Sequence, residues 1–138
     1  MTPHIASTDD LATCHALRRD VFVGEQKITE AEEFDNLDGA AVHLLAVRDG
    51  APVGTARIFS GEDGRIGRIC VLKAARGTGL GAALVEAGIA HLKAEGSRRV
   101  VLDAQVYALP FYEKLGFVAH GAEFDDAGIP HQRMSRAL

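Results

Sequence analysis

The segment that most constrains the fold is a basic, glycine-rich turn that joins a strand to a helix. Residues 71–81 read VLKAARGTGLG and follow a segment with the composition of a strand. From residue 78 to 95 apolar residues recur at three- and four-residue steps, which predicts an amphipathic helix. The unpaired N–H groups and the positive dipole end of such a helix favour an anion in the turn. We therefore expect a phosphate-binding turn, in which the glycines allow close approach and Arg76 adds a charged contact.

Other interpretations of this turn are a plain structural turn and two known nucleotide loops. In a structural turn the glycines would serve only the packing of the helix on the sheet. The Walker A loop does not fit, because no Lys-Ser or Lys-Thr follows the glycines. The dinucleotide fingerprint G-x-G-x-x-G does not fit either, since glycines 77, 79 and 81 are spaced G-x-G-x-G. A nucleotide-phosphate binder of another kind stays an alternative.

The whole chain predicts one domain, residues 1–138, with the element order β-α-βββ-α-β-α-ββ. Tight turns at 48–51 and 61–64 imply three consecutive antiparallel strands, the last at 65–72. A helix joins that strand to a β-branched strand at 100–106, so we expect these two strands to be parallel. The predicted fold class is a mixed α/β (α+β) sheet with helices on both faces.

The N-terminal part predicts an edge strand, a helix and an acidic loop. Residues 3–6 read as a short strand, and residues 7–10 (STDD) offer N-cap oxygens, with Ser7 as the first. The helix is expected to run to about Phe22, with Gly24 as its breaker. The acidic segment 27–39 is expected to be a solvated loop or a short irregular helix, which would attract a cationic amine.

Charge, hydropathy and cysteine usage exclude several classes of partner. The formal net charge of −4 argues against nucleic acid, because phosphate-backbone binding needs a basic face. No apolar run reaches the roughly 18 to 20 residues of a membrane span, and residues 1–5 lack the start of a secretory signal. Cys14 and Cys70 form no C-x-x-C pattern, which argues against a metal or redox site. We expect a cytoplasmic protein with no nucleic-acid, membrane or metal partner.

Two motifs in this chain resemble the signatures of GNAT N-acetyltransferases. Arg76-x-x-Gly79-x-Gly81 resembles the R/Q-x-x-G-x-G/A motif that holds the pyrophosphate of coenzyme A, and residues 108–117 (ALPFYEKLGF) resemble A-x-x-F-Y-x-x-x-G-F. Residues 21–26 (VFVGEQ) and 128–131 (GIPH) look like the small bacterial ElaA-like branch. Many GNATs carry Asn where this chain has Gln105, and the ElaA-like branch is similar to this chain in using Gln.

The resemblance implies acetyl-CoA as the acetyl donor and assigns residues to it. The strands at 65–72 and 100–106 would splay apart and admit the pantetheine arm, which would pair with the backbone of Cys70, Val71 and Leu72. The N–H of Val71, or of a neighbour, would donate to the thioester carbonyl. Tyr112 matches the family's general acid. The pyrophosphate would be held by Arg76, Gly77, Thr78, Gly79, Leu80 and Gly81.

The general base is less well defined by the sequence. An alkyl ammonium has a pKa near about 10.4, so a base must remove its proton before attack. The resemblance places Glu25 on the acceptor side, and His43 opens the strand after the acidic segment; a carboxylate such as Glu25, or His43, is the candidate, directly or through water. Asp103 must find a partner or face the cleft, and His131 either lines the site or caps a turn. A covalent role for Cys70 is an alternative that GNAT chemistry disfavours.

The acceptor is left open between a small amine and an amine of a peptide or protein. A homodimer is the default expectation for the assembly. A different class of function is a catalytically silent module of the same fold that binds CoA or a partner protein. Retention of both the phosphate turn and Tyr112 favours the enzyme.

Overall fold

The computed structural model describes residues 3–138, through which one seven-stranded sheet runs. Met1 and Thr2, which begin the segment inspected for a targeting signal, lie outside the described residues. The strands are β1 (His4–Thr8), β2 (Val42–Arg48), β3 (Ala51–Phe59), β4 (Asp63–Val71), β5 (Arg99–Gln105), β6 (Val118–Asp126) and β7 (Ile129–Ala137). They lie in the order β1-β2-β3-β4-β5-β7-β6. The pair β4–β5 is parallel and its neighbours are antiparallel, so the predicted mixed sheet is confirmed.

Helices cover both faces of this sheet, as the sequence predicts. They are α1 (Leu11–Arg18), a π-helical continuation (Arg19–Glu25), α2 (Glu30–Glu33), α3 (Leu80–Ala94) and α4 (Leu109–Glu113). The apolar side of α3 packs on one face and forms the main core with β2 to β5. On the other face α1 and the π-helical segment enclose Cys70 in a second, smaller cluster. Across residues 3–138, no helix is long and apolar enough to cross a membrane.

The start and the end of the first helix differ from the prediction. Ser7 pairs with β2 as part of β1, so the N-cap is Asp10, whose side chain accepts from Thr13 N–H at 3.1 Å. The helix does not end at Phe22 but widens into the π-helical segment, which contains Gly24. A single glycine costs a helix only about 1 kcal/mol. Burial of Phe22 against the sheet outweighs that cost.

A bulge in β4 and a short parallel pairing open the sheet at its centre. Arg57 opposes Gly67 and Thr55 opposes Cys70, so β4 carries one extra residue there, and Arg68 adopts a left-handed φ of 47°. Such a bulge bends its strand. The parallel pairing of β4 with β5 covers residues 63–65 and then stops. The carboxyl halves of β4 and β5 therefore separate, which confirms the predicted splay.

Candidate active site

The predicted phosphate turn lies at the carboxyl end of β4 and leads into α3. Gly77 and Gly79 have φ of 76° and 81°, a backbone conformation that other residues rarely adopt. A Cβ at either position would meet nothing within 4 Å, so the backbone here borders open space. Gly79 is the N-cap of α3, and no side chain caps the helix. The N–H groups of its first turn are thus free to bind an anion.

Thr78, Leu80 and Gly81 each have a structural role in the turn. The Thr78 hydroxyl donates to Ala75 O at 2.7 Å and so braces the turn itself. Leu80 buries its side chain in the core, which leaves its backbone as the part that faces the turn. Gly81 lies beside the ring of Phe111, so near that an added Cβ would be 3.5 Å from it. The two GNAT-like motifs therefore lie next to each other.

Arg76 is paired within the protein. Its Nη2 donates to Glu25 Oε1 at 2.7 Å, and its Nε donates to Val71 O at 3.0 Å. The hydrogen bond from Arg76 lowers the pKa of Glu25, and the same bond raises the pKa of Arg76. A carboxylate with a lowered pKa is a weaker base. Glu25 thus lies beside the phosphate turn and does not line the cleft that contains Tyr112.

The end of β4 presents its backbone to the opening between the strands. Leu72 N–H donates to Val53 O at 2.9 Å, which makes these two residues a hydrogen-bonded pair. In an antiparallel ladder the next residue then directs its N–H and C=O away from the partner strand. The N–H of Val71 therefore faces the side from which β5 has separated. The N–H of Leu72 is already hydrogen-bonded to β3.

Cys70 is a buried thiol. It is 4% exposed and packs with Leu17, Val21 and Phe22. Burial raises the pKa of the thiol to about 12. A thiol in this state stays protonated near neutral pH and is a poor nucleophile.

A cleft of about 250 Å³ occupies the opening between β4 and β5. Apolar side chains form part of its wall: Phe22, Ile28, Phe59, Ile66, Ile69 and Leu102. Its polar and charged lining includes Gln26, Glu32, Glu33, Arg65, Arg68, Asp103, Gln105, Asp126 and His131. The amide of Gln105 donates to Gln26 Oε1 at 2.9 Å, so these two residues bridge β5 and the end of the π-helical segment.

Tyr112 lines this cleft from α4. Its ring lies edge-on to Phe111 and Phe117, with centroids 4.9 and 5.9 Å away. Burial raises the pKa of the Tyr112 hydroxyl to about 12. The hydroxyl is therefore protonated throughout the physiological pH range, as a proton donor must be.

His43 lies away from the cleft. It is 4% exposed, its Nε2 is 3.0 Å from Asp38 O, and its Nδ1 is buried without a hydrogen-bond partner. A carbonyl oxygen only accepts, so Nε2 carries the proton. The basic nitrogen of His43 is consequently sealed inside the protein, and the structure does not bring it to Tyr112.

Asp103 and His131 line the cleft. Burial opposes the charge of Asp103, but the hydrogen bond from Arg133 at 2.9 Å and the positive charge of Arg65, 3.2 Å away, lower its pKa. His131 lines the cleft, and its Nδ1 lies 2.7 Å from Ile129 O within β7.

A buried ion-pair network beside the cleft corrects the prediction of a solvated acidic loop. Glu33 is 2% exposed and accepts from Arg18 Nε at 2.8 Å, while Arg68 Nε lies 3.1 Å away. Arg57 donates to Asp35 at 2.7 Å. The sequence held a signal for this network, since arginines on apolar segments of α1 and β3 need buried partners.

Metal ligands are not grouped in this site. Within residues 3–138, no three His, Cys, Asp or Glu side chains are placed to hold a metal ion.

Comparisons with known proteins agree over nearly the whole chain. A family model described as an acetyltransferase (GNAT) domain matches residues 11–138. A Bacillus subtilis protein with a provisional acetyltransferase name is 42% identical over 136 residues, which cover 96% of this chain and 92% of that protein. A crystal structure of an acyl-CoA N-acyltransferase from Pseudomonas aeruginosa is 33% identical, with a TM-score of 0.89 and coverage of 99% and 100% of the two chains. Escherichia coli ElaA is 26% identical, with a TM-score of 0.84 and coverage of 98% and 99%.

Proposed function

The chain belongs to the GNAT acetyltransferase family, and we propose that it transfers an acetyl group from acetyl-CoA to a primary amine. One arrangement supports this function. An uncapped glycine turn and a protonated tyrosine, Tyr112, flank the opening between β4 and β5. The turn is suited to binding a pyrophosphate, and the tyrosine is suited to protonating a thiolate leaving group. The phosphate end and the thioester end of the donor would therefore each have a partner.

The residues of the turn and of β4 suit acetyl-CoA, which supplies the acetyl group as a thioester. The free N–H groups at Gly79, Leu80 and Gly81 would hold the pyrophosphate, with Arg76 as a cationic partner. The N–H of Val71 would donate to the thioester oxygen and stabilise the negative charge that develops there. Open space at Gly77 and Gly79 leaves room for close approach of a phosphate.

Tyr112 would act as the general acid. Its hydroxyl proton would move to the departing sulfur, and the phenolate oxygen would recover a proton from the cationic nitrogen of the tetrahedral intermediate as the amide forms. A hydroxyl whose pKa is raised by burial keeps its proton until the carbon–sulfur bond breaks. Phe111 and Phe117 fix the direction of the ring.

The acceptor is proposed as an amine, either a small molecule or a side chain of a peptide or protein. Carboxylates in the cleft lining favour a cationic acceptor: Glu32, Glu33, Asp103 and Asp126. A panel of amines that differ in size and charge is the appropriate probe.

Thermal unfolding with and without acetyl-CoA tests the donor site. Ligand at 100 times its Kd stabilises the folded state by about 2.7 kcal/mol, and ATP serves as the phosphate-bearing control. A shift with acetyl-CoA that ATP does not reproduce supports the site. If the unfolding temperature does not shift at saturating acetyl-CoA, residues 71–81 form only a structural turn.

Release of the CoA thiol in the presence of alkyl amines, polyamines and lysine peptides tests the transfer. Tyr112→Phe separates an enzyme from a silent binding module. An enzyme should keep its affinity for acetyl-CoA and lose roughly 10²- to 10⁴-fold in rate. Binding of acetyl-CoA without thiol release from any amine would favour the binding module.

A further inference from the structure

We propose that His131 is the general base of this site, with Nε2 as the atom that accepts the proton of the acceptor ammonium. The inference rests on the proposed amine acetylation. His131 is a different residue from Glu25 and His43, the two residues that the sequence indicates as candidate bases.

The hydrogen bond of His131 fixes its tautomer. Nδ1 lies 2.7 Å from Ile129 O, and a carbonyl oxygen only accepts, so Nδ1 carries the proton of the neutral ring. The lone pair is then on Nε2. A backbone carbonyl that holds one ring nitrogen in this way orients the other for proton transfer.

The position of His131 makes it part of the cleft lining. The residue lies on β7 directly opposite Gln105, the last residue of β5, and it borders the same cleft as Tyr112. The ring stacks on Phe124 with a centroid distance of 5.9 Å and an interplanar angle of 24°, which fixes its plane. Nδ1 of His43 is buried and has no hydrogen-bond partner, whereas Nε2 of His131 is not buried in this way.

Three of the carboxylates that could compete with His131 as bases are held by cations. Arg76 holds Glu25, and Arg133 and Arg65 hold Asp103. The contacts with arginine lower the pKa of Glu25 and of Asp103, so these two carboxylates bind a proton less readily. Burial raises the pKa of Glu33, but its side chain is 2% exposed and its carboxylate is held by Arg18 and Arg68.

The proton transfer is balanced within the site. One N–H bond of the acceptor ammonium breaks and one N–H bond forms at Nε2, which leaves a neutral amine and an imidazolium. The imidazolium then returns its proton to solvent. The charged and titratable groups that line the same cleft as His131 come from several elements: Glu32, Glu33, Arg57, Arg65, Arg68, Asp103, Tyr107, Tyr112 and Asp126.

His131→Asn is the informative variant, because the Asn amide can still donate to Ile129 O while the basic nitrogen is lost. His120→Asn on the exposed strand β6 is the matched control. The probes are acetyl-CoA and the alkyl amine that the wild type turns over fastest. We expect kcat/KM at pH 7 to fall by roughly 10²- to 10⁴-fold in His131→Asn and to stay unchanged in the control.

The pH profile distinguishes a base from a structural residue. Without a base the reaction depends on the free amine, so kcat/KM of His131→Asn should rise about tenfold per pH unit up to the pKa of the amine, about 10.4, and approach the wild type. If kcat/KM of His131→Asn falls by the same factor at every pH, or does not fall, the assignment of His131 as the base is overturned. The proposed acetyl transfer would still stand. If the wild type turns over no amine in the panel, the proposed function fails and this inference fails with it.

Discussion

Arg76 and Glu25 hold each other beside the phosphate turn, with Arg76 Nη2 2.7 Å from Glu25 Oε1. Both side chains are partly exposed, at 42% and 34%. The guanidinium that the GNAT-like motif assigns to the pyrophosphate is therefore neutralised by a carboxylate before any donor binds. A pyrophosphate would have to share Arg76 with Glu25 or displace it.

Glu25→Gln should tighten the binding of CoA. The substitution removes the competing charge and leaves Arg76 free for phosphate, so we expect Kd to fall by about three- to tenfold at low salt, with the gain shrinking as salt rises. Isothermal titration calorimetry with CoA measures this. Glu30→Gln, which breaks the exposed pair of Arg19 and Glu30, is the matched control and should leave Kd unchanged. Weaker binding in Glu25→Gln would show that the carboxylate helps to build the site.

Cys70 should not form an acetyl-enzyme. Its thiol is buried and its pKa is raised to about 12, so almost none of it is thiolate at pH 7.5. Incubation with acetyl-CoA followed by intact-mass spectrometry under acidic quench should show the unmodified chain. A mass increase of one acetyl group that maps to Cys70 would contradict direct transfer.

The central part of the fold could be predicted from the sequence because its signals are local. The turn at 48–51, the period of α3 and the glycines of the phosphate turn are each visible within a few residues, and the crossover then determines that β4 and β5 are parallel. The splay itself followed from family resemblance. Its physical cause, the bulge at Arg68, has no strong local signature.

The acceptor side could not be predicted in the same way, because pairing over long sequence separations decides it. Glu33 read as part of a solvated acidic loop, and only the tertiary fold brings Arg18 and Arg68 to it. The choice between His43 and His131 depends on which ring nitrogen meets a backbone carbonyl. No spacing in the sequence reports that contact.

Arg18→Ala should strongly destabilise the protein. Arg18 is 1% exposed and pairs with Glu33 and Asp38, so its removal leaves buried carboxylates without their main partner. Breaking a buried pair in this way costs about 3 to 5 kcal/mol in the free energy of unfolding. Urea unfolding measures the loss, and Arg19→Ala at the adjacent, half-exposed arginine is the control.

A double replacement of Arg18 and Glu33 by methionine separates charge from packing. Two apolar residues of similar volume leave no buried charge from this pair, so the double variant should be more stable than Arg18→Ala. Equal losses in the single and double variants would mean that packing around α1, rather than the uncompensated carboxylate, accounts for the effect.

Asp35 should make stability depend on pH in the acid range. Its hydrogen bonds from Arg57 lower its pKa from 3.8 to about 2 in the folded protein. A carboxyl with a lowered folded-state pKa contributes stability above its unfolded value, and this contribution is lost as pH falls from about 4 to about 2. Asp35→Asn should therefore be less stable than the wild type by about 2 kcal/mol at pH 6, and the difference should vanish near pH 2. Urea unfolding at pH 6, 4 and 2 measures it, with the surface variant Asp9→Asn as control. A difference that stays constant over this range would assign the loss to packing of the asparagine and not to the ion pair with Arg57.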